Sequence, residues 1–360
     1  MAAAKELHDA GQSLWLDNIT RDSVNDGTIK RYIDELSLTG LTSNPTIFDK
    51  ALSEGDAYDE QTSELLAAGK SGEELFFELA IRDLQGACDL FAPIHERTDG
   101  VDGWASLEVS PLLARDAEGT AAEAAKLHDS ANRDNLFIKI PGTSEGLQAI
   151  EDTIALGTPV NVTLLFDDKQ YVAQAEAYMR GIERRIADGL DPNVTSVASL
   201  FVSRWDVAVS GKVPDELENR LGSAAAIRGY VAYRELIESD RWKQLENEGA
   251  RPQRFLFAST GTKDPALPKT KYIDELAAPL SINTMPEETL LALADSDHID
   301  GVLPRDGGDN EALLSEFESA GVDLKALAKQ LQDEGADKFV ASWTDLLDRI
   351  EEKSRAVAAG

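Results

Sequence analysis

The sequence predicts an α/β fold: a single (β/α)8 barrel of eight parallel strands, with additional helices that include a C-terminal set packed on the barrel. Two observations carry this expectation. Eight short apolar runs recur along the chain with helical patterns between them, which is the signature of a parallel sheet. The runs also end in polar or charged residues, as strands do where they feed the loops at the catalytic end of such a barrel. An open doubly wound sheet would want a glycine-rich phosphate turn after the first strand, and LWLDNITRD has none.

In order, the runs are SLWLDN (13–18), LTGLTSN (38–44), WASLEVS (104–110), LFIKIPG (136–142), VNVTLLF (160–166), VASLFVSR (197–204), FLFAST (255–260) and LSINTMP (280–286). Most are rich in β-branched or aromatic residues and bounded by Gly, Pro or Asn. Residues 45–95 are too long for one connection and should hold two or three helices. An Ala- and Glu-rich stretch over 116–132 reads as a helix. Leu147, Ile150 and Ile154 are spaced as one helical face over 144–156. Asp167-Asp168 suits the first turn of a helix reaching to residue 187. Residues 299–311 are turn-rich, and 312–354 read as helices that could pack across the barrel. We expect one domain over 1–360, with the barrel at about 13–298 and a helical extension at about 312–356.

The bulk chemistry narrows the partners. No apolar run approaches the roughly 18 residues of a membrane span, and MAAAKELHDAGQ has no apolar leader core. The lone Cys88 excludes an internal disulfide and suits a reducing cytoplasm; in LQGACDLF it reads as a helix packing residue. Asp and Glu number 66 against 35 Lys and Arg, a net charge of −31, which repels nucleic acid and anionic membranes. A phosphate ligand would therefore need a local cationic cluster. The four histidines lack metal-ligand spacing, so no metal is expected. Gly69-Lys70-Ser71 hints at a nucleotide loop, but that loop needs glycine where Glu64 stands, and ELLAAGKSGEEL reads as helix, turn and helix.

Ionised groups sit inside otherwise apolar runs at Lys139, Glu108 and Asp17. Such groups are rarely buried unless paired or functional. A structural ion pair of Lys139 with Glu108 or Asp17 is one reading. The other is catalysis: burial disfavours an ammonium, and a neutral amine attacks a ketone to form a Schiff base. Apolar Phe137, Ile138 and Ile140 would keep the amine dry. Glu108 and Asp17 are the available acids for proton transfers. Asn44 and Asn161 could orient hydroxyls, and Thr163 could hold a water. Arg204 and Lys263 supply the cationic cluster, with Ser259 donating beside them.

Six segments together resemble the transaldolase family: LTSNPTIF (41–48), SLEVSP (106–111), LFIKIPGTSEGLQAI (136–150), VNVTLLF (160–166), SLFVSRWD (199–206) and FASTGTKDP (257–265). They span most of 13–290 in the family's order, and GADKFVASWTDLLDRI (335–350) is similar to its C-terminal helix. The resemblance implies transfer of a dihydroxyacetone unit, without a cofactor, from sedoheptulose 7-phosphate or fructose 6-phosphate to glyceraldehyde 3-phosphate or erythrose 4-phosphate. It implies Lys139 as the Schiff-base lysine, Asp17 as acid/base at the C4 hydroxyl, and Glu108 as proton relay through a water on Thr163. Asn44, Asn161 and Ser199 would bind the dihydroxyacetone part, Phe201 would line the pocket and Arg204 would bind phosphate. Better-known members carry an arginine after the seventh strand where this chain has Lys263, a point charge in place of a fork. Fructose 6-phosphate aldolases, the alternative in the same superfamily, typically carry Gln at the Glu108 position and Tyr at the Phe201 position. The partners expected are sugar phosphates, with monomer and homodimer both open.

Overall fold

The computed structural model describes residues 2–53 and 56–359; positions 54 and 55, inside the first expected helical stretch, lie outside it. Eight parallel strands form one sheet: β1 (Gln12–Leu16), β2 (Leu38–Leu41), β3 (Ala105–Glu108), β4 (Leu136–Pro141), β5 (Val160–Leu165), β6 (Ser196–Phe201), β7 (Arg254–Ala258) and β8 (Ser281–Met285). Their order is β2-β1-β8-β7-β6-β5-β4-β3. A bridge between Gly40 and Trp104 joins the two ends, supported by Leu41 N–H donating to the Trp104 carbonyl at 2.9 Å. The eight expected runs are these eight strands, and the barrel is nearly closed.

Expectations for the helices hold with shifts of a residue or two at most ends, and the tail helix runs five residues past the expected 354. Residues 45–95 contain three helices, Pro45–Ser53, Asp59–Ala67 and Gly72–Arg97, and Cys88 is a buried packing residue of the third. The later segments give Ala117–Ala131, Gly146–Leu156 and Asp168–Ala187. Asp116 and Asp167 cap the first and last, accepting from Gly119 N–H at 2.9 Å and Gln170 N–H at 2.7 Å. The tail forms Asn310–Ser319 and one long helix, Leu324–Ala359. Ala2–Asp9, ahead of β1, lacked a readable signal because it buries only Ala3, Ala4 and Leu7.

Side chains alternate along each strand with the period of two. Ile138 and Ile140 join the layer between sheet and helices, whereas Phe137 joins the barrel interior with Trp15, Trp104, Val197, Leu256 and Ile282. Trp104 stacks on Phe137 with centroids 4.0 Å apart, plugging the lower barrel. The same alternation turns Asp17, Glu108, Lys139, Asn161, Thr163, Ser199 and Phe201 toward the axis above that plug.

The long C-terminal helix crosses the end of the barrel at which the strands finish. Gln332 Nε2 donates to the carbonyls of Gly142 (3.1 Å) and Leu164 (2.9 Å). Gly335 allows close approach: a Cβ there would lie 2.8 Å from Leu164 Cδ2 and 3.2 Å from Arg204 Nη1. Trp343 anchors the middle of the helix, edge-on to Phe76 at 5.1 Å with Nε1 donating to Glu73 Oε1 at 2.8 Å. Trp343→Ala should therefore cost about 3–5 kcal/mol and lower the urea midpoint. An unchanged midpoint would mean that this helix is not integral to the folded barrel.

Candidate active site

The site starts from the turn after β4. Two glycines follow Lys139 closely, and each is required by crowding. A Cβ on Gly142 would sit 2.5 Å from Leu165 Cδ2, and one on Gly146 only 2.0 Å from the Pro141 carbonyl. The turn thus packs tightly against β5, fixing the top of β4. Lys139 Nζ donates to the Ser43 carbonyl at 3.1 Å and lies 3.5 Å from Glu108 Oε2. Glu108 is the register partner of Lys139 on β3. Lys139 is 6% exposed. The ring of Phe339, from the C-terminal helix, lies 5.9 Å from Nζ. The expectation about what keeps this amine dry needs correcting. Ile138 and Ile140 face the helix layer, so the interior apolar neighbours are Phe137 below and Phe339 above.

An inner cavity of about 120 Å³ opens beside the amine. Asp17, Asn44, Lys139, Thr163, Ser199, Phe201, Arg204, Ser259 and Lys263 all line it. It shares Asp17, Asn44, Arg204, Pro286 and Phe339 with an outer cleft of about 700 Å³. Two expected residues stand behind the wall. Glu108 reaches the site through Lys139, and Asn161 is fully buried, donating from Nδ2 to Ser106 Oγ (3.1 Å) and accepting from Ser199 Oγ (2.7 Å). Asn44 Oδ1 accepts from Ile47 N–H at 3.0 Å and so caps the next helix, which leaves its amide donors for a ligand.

Burial pushes the Glu108 and Asp17 carboxyls above their ordinary values, with the Lys139 ammonium opposing it in both cases. Burial lowers the Arg204 guanidinium. Arg204 lies over the Phe201 ring, with Cζ 4.9 Å from its centroid. Thr163 Oγ1, both Glu108 carboxylate oxygens and Arg204 Nη1 are buried without a hydrogen-bond partner among the described residues. Buried polar atoms are nearly always satisfied; Thr163 and Arg204 line the inner cavity, where a polar ligand can reach them. Lys263 is exposed at the rim, and Ser259, in a left-handed conformation (φ 56°), places its Oγ 3.0 Å from Ser203 Oγ.

Three site features were not legible. Phe339 and Gln332 reach the barrel from about 200 residues beyond Lys139, a docking no local pattern reports. On β8, the run LSINTMP offers Asn283 and Thr284 as adjacent polar residues. Register pairs Thr284, not Asn283, with inward-facing Trp15, and Thr284 is the one that lines the cavity. Counting side-chain alternation from Ile282 would have found it.

A (β/α)8 barrel with a buried lysine on its fourth strand, flanked by two carboxyls and a cationic rim, is of the class equipped for amine–carbonyl chemistry. The model of the transaldolase/fructose-6-phosphate aldolase family matches residues 14–350, and the chain belongs to that family. It is 46% identical to a Thermobifida fusca protein named transaldolase, over 98% of each chain. It is 44% identical to a transaldolase of an Arthrobacter species over 96% of each. A Trichodesmium erythraeum transaldolase is 39% identical, covering 97% of this chain and 96% of the relative.

The raised Asp17 carboxyl has a consequence for stability. A carboxyl whose native pKa exceeds its ordinary 3.8 binds more protons folded than unfolded, so stability falls as pH rises through the native value. Asp17→Asn removes that loss. The variant should melt above the parent at neutral pH, and the gap should close as pH falls toward about 4. A variant that melts lower at neutral pH would mean that attraction to Lys139 outweighs burial.

Proposed function

We propose that this chain is a transaldolase. It transfers a dihydroxyacetone unit from sedoheptulose 7-phosphate or fructose 6-phosphate to glyceraldehyde 3-phosphate or erythrose 4-phosphate, in the cytoplasmic pentose phosphate pathway. The observation that carries this reading is Lys139 Nζ, held 3.5 Å from Glu108 inside a cavity that also contains Asp17 and Thr163.

The chemistry follows from those groups. Lys139, once deprotonated, attacks the C2 ketone and forms a carbinolamine. Glu108, whose elevated pKa suits it to hold and release a proton, moves protons through a water at Thr163, and the carbinolamine loses water to give a protonated imine. Asp17 takes the C4 hydroxyl proton. The C3–C4 bond breaks, its electron pair flows toward the iminium as an enamine, and the aldose phosphate departs. An acceptor aldehyde then meets the enamine, Asp17 returns its proton, and hydrolysis frees the new ketose. Asn44 and Ser199, the latter held by Asn161, orient the dihydroxyacetone hydroxyls. Phe201 shapes the wall, and Arg204 with Lys263 and Ser259 receives phosphate. No step requires a cofactor. The buried ion pair is not a competing account: it supplies the acid next to the amine.

Glu108 and Phe201 support transfer over simple aldol cleavage. With fructose 6-phosphate and erythrose 4-phosphate, the protein should form sedoheptulose 7-phosphate and glyceraldehyde 3-phosphate far faster than it releases free dihydroxyacetone. Lys139→Met should lose about 10³-fold or more in kcat while keeping the parent's melting temperature. Release of dihydroxyacetone as the main reaction would favour the aldolase reading instead, and an active Lys139→Met would refute both.

A further inference from the structure

We propose that Thr284 is a positioning residue for Asp17, acting through Thr42. The inference rests on the acid/base role given to Asp17 above. The strand that carries Asp17 is β1, and its two neighbours in the sheet are β2 and β8. Each neighbour contributes one threonine. Thr42 follows β2, and Thr284 lies on β8 in register with Trp15, two residues before Asp17. Both threonines are 3% exposed.

Direction in this chain follows from proton count. Thr42 Oγ1 donates to Asp17 Oδ1 at 2.9 Å, and Thr42 Oγ1 is 2.8 Å from Thr284 Oγ1. A hydroxyl has one proton, and an ionised carboxylate can only accept. With the Thr42 proton given to Asp17, the bond between the two threonines can run only from Thr284 to Thr42. Two donors in series polarise each other, so the second strengthens the first. Thr284 sits on a held segment of β8, where the Thr260 hydroxyl is 2.9 Å from both the Thr284 carbonyl and Asn283 Oδ1 and shares its one proton between them. The relay holds Oδ1 and favours the ionised carboxyl against the burial that raises it. Asp17 Oδ2 takes no hydrogen bond among the described residues, which leaves it for the substrate hydroxyl.

Other charges also face Asp17. Lys139 on β4 and Lys263 after β7 favour its ionisation, Glu108 on β3 opposes it, and Glu287 lines the outer cleft beside it. Removal of the Thr284 hydroxyl leaves all four in place. Thr284 also lines the cavity, so direct contact with substrate is the competing role.

The test compares the full-length protein with Thr284→Val, Thr284→Ser and Asp17→Asn, measuring kcat and KM for fructose 6-phosphate with erythrose 4-phosphate between pH 5 and 9. Thr284→Val should lose about fivefold to tenfold in kcat with KM within about twofold of the parent. Its acid limb should move up by on the order of half a pH unit. Thr284→Ser should restore both within about twofold. Wild-type kcat and limb in Thr284→Val, or a rise in KM that matches the fall in kcat, would overturn the relay. Should Thr284→Val fail to fold by circular dichroism, Thr284→Ala carries the same expectations. Asp17→Asn separates the two levels: if it stays active the role of Asp17 itself fails, and if it is dead while Thr284→Val is normal only the relay fails.

Discussion

One ammonium inside a barrel sets the terms for the rest of the molecule. Lys139 occupies an inward position of β4, above a plug of Trp15, Trp104 and Phe137, where water cannot freely solvate it. A buried charge needs partners, and it has the Ser43 carbonyl and Glu108. Burying Glu108 there raises its own carboxyl, with the Lys139 ammonium opposing the shift. Asp17, raised in the same way, needs donors, and Thr42 supplies one. Each burial thus calls for the next polar group, and together these demands account for a polar layer across the upper barrel.

The approach to that layer is governed by charge and by one helix. A surface of net charge −31 repels sugar phosphates at long range, so attraction must be local. Arg204, Lys50 and Lys338 line the outer cleft and Lys263 the inner cavity, and none of the four forms an ion pair among the described residues, although carboxylates abound. Gly335 leaves room for the Arg204 guanidinium, and Phe339 narrows the passage over Lys139. The C-terminal helix is accordingly part of the site's wall as well as of the fold.

Much of this was legible in the sequence because both signals are local. The eight strands declare themselves by apolar runs with turn residues at their ends. Lys139, Glu108 and Asp17 declare themselves by breaking those runs. Less legible were properties that arise only between elements. Ile138 and Ile140 flank Lys139 in sequence but face away from it, whereas Phe339, far off in sequence, lies over it. Asn283 and Thr284 are adjacent polar residues of one run, and the pleat turns Thr284 inward. Asn161 carries an expected role in binding the dihydroxyacetone part, and its bonds to Ser106 and Ser199 could not be read from its own strand. In each case the residue type was readable and its direction or partner was not.

The proposed chemistry requires the amine of Lys139 to become covalently bonded to a ketose. The most direct measurement is borohydride reduction in the presence of fructose 6-phosphate, followed by peptide mass spectrometry. A single reduced adduct is expected on the peptide containing Lys139, its mass that of a dihydroxyacetone unit or the intact ketose joined through a secondary amine. No adduct, or one carried by Lys50, Lys263 or Lys338 at the same mouth, would contradict that chemistry.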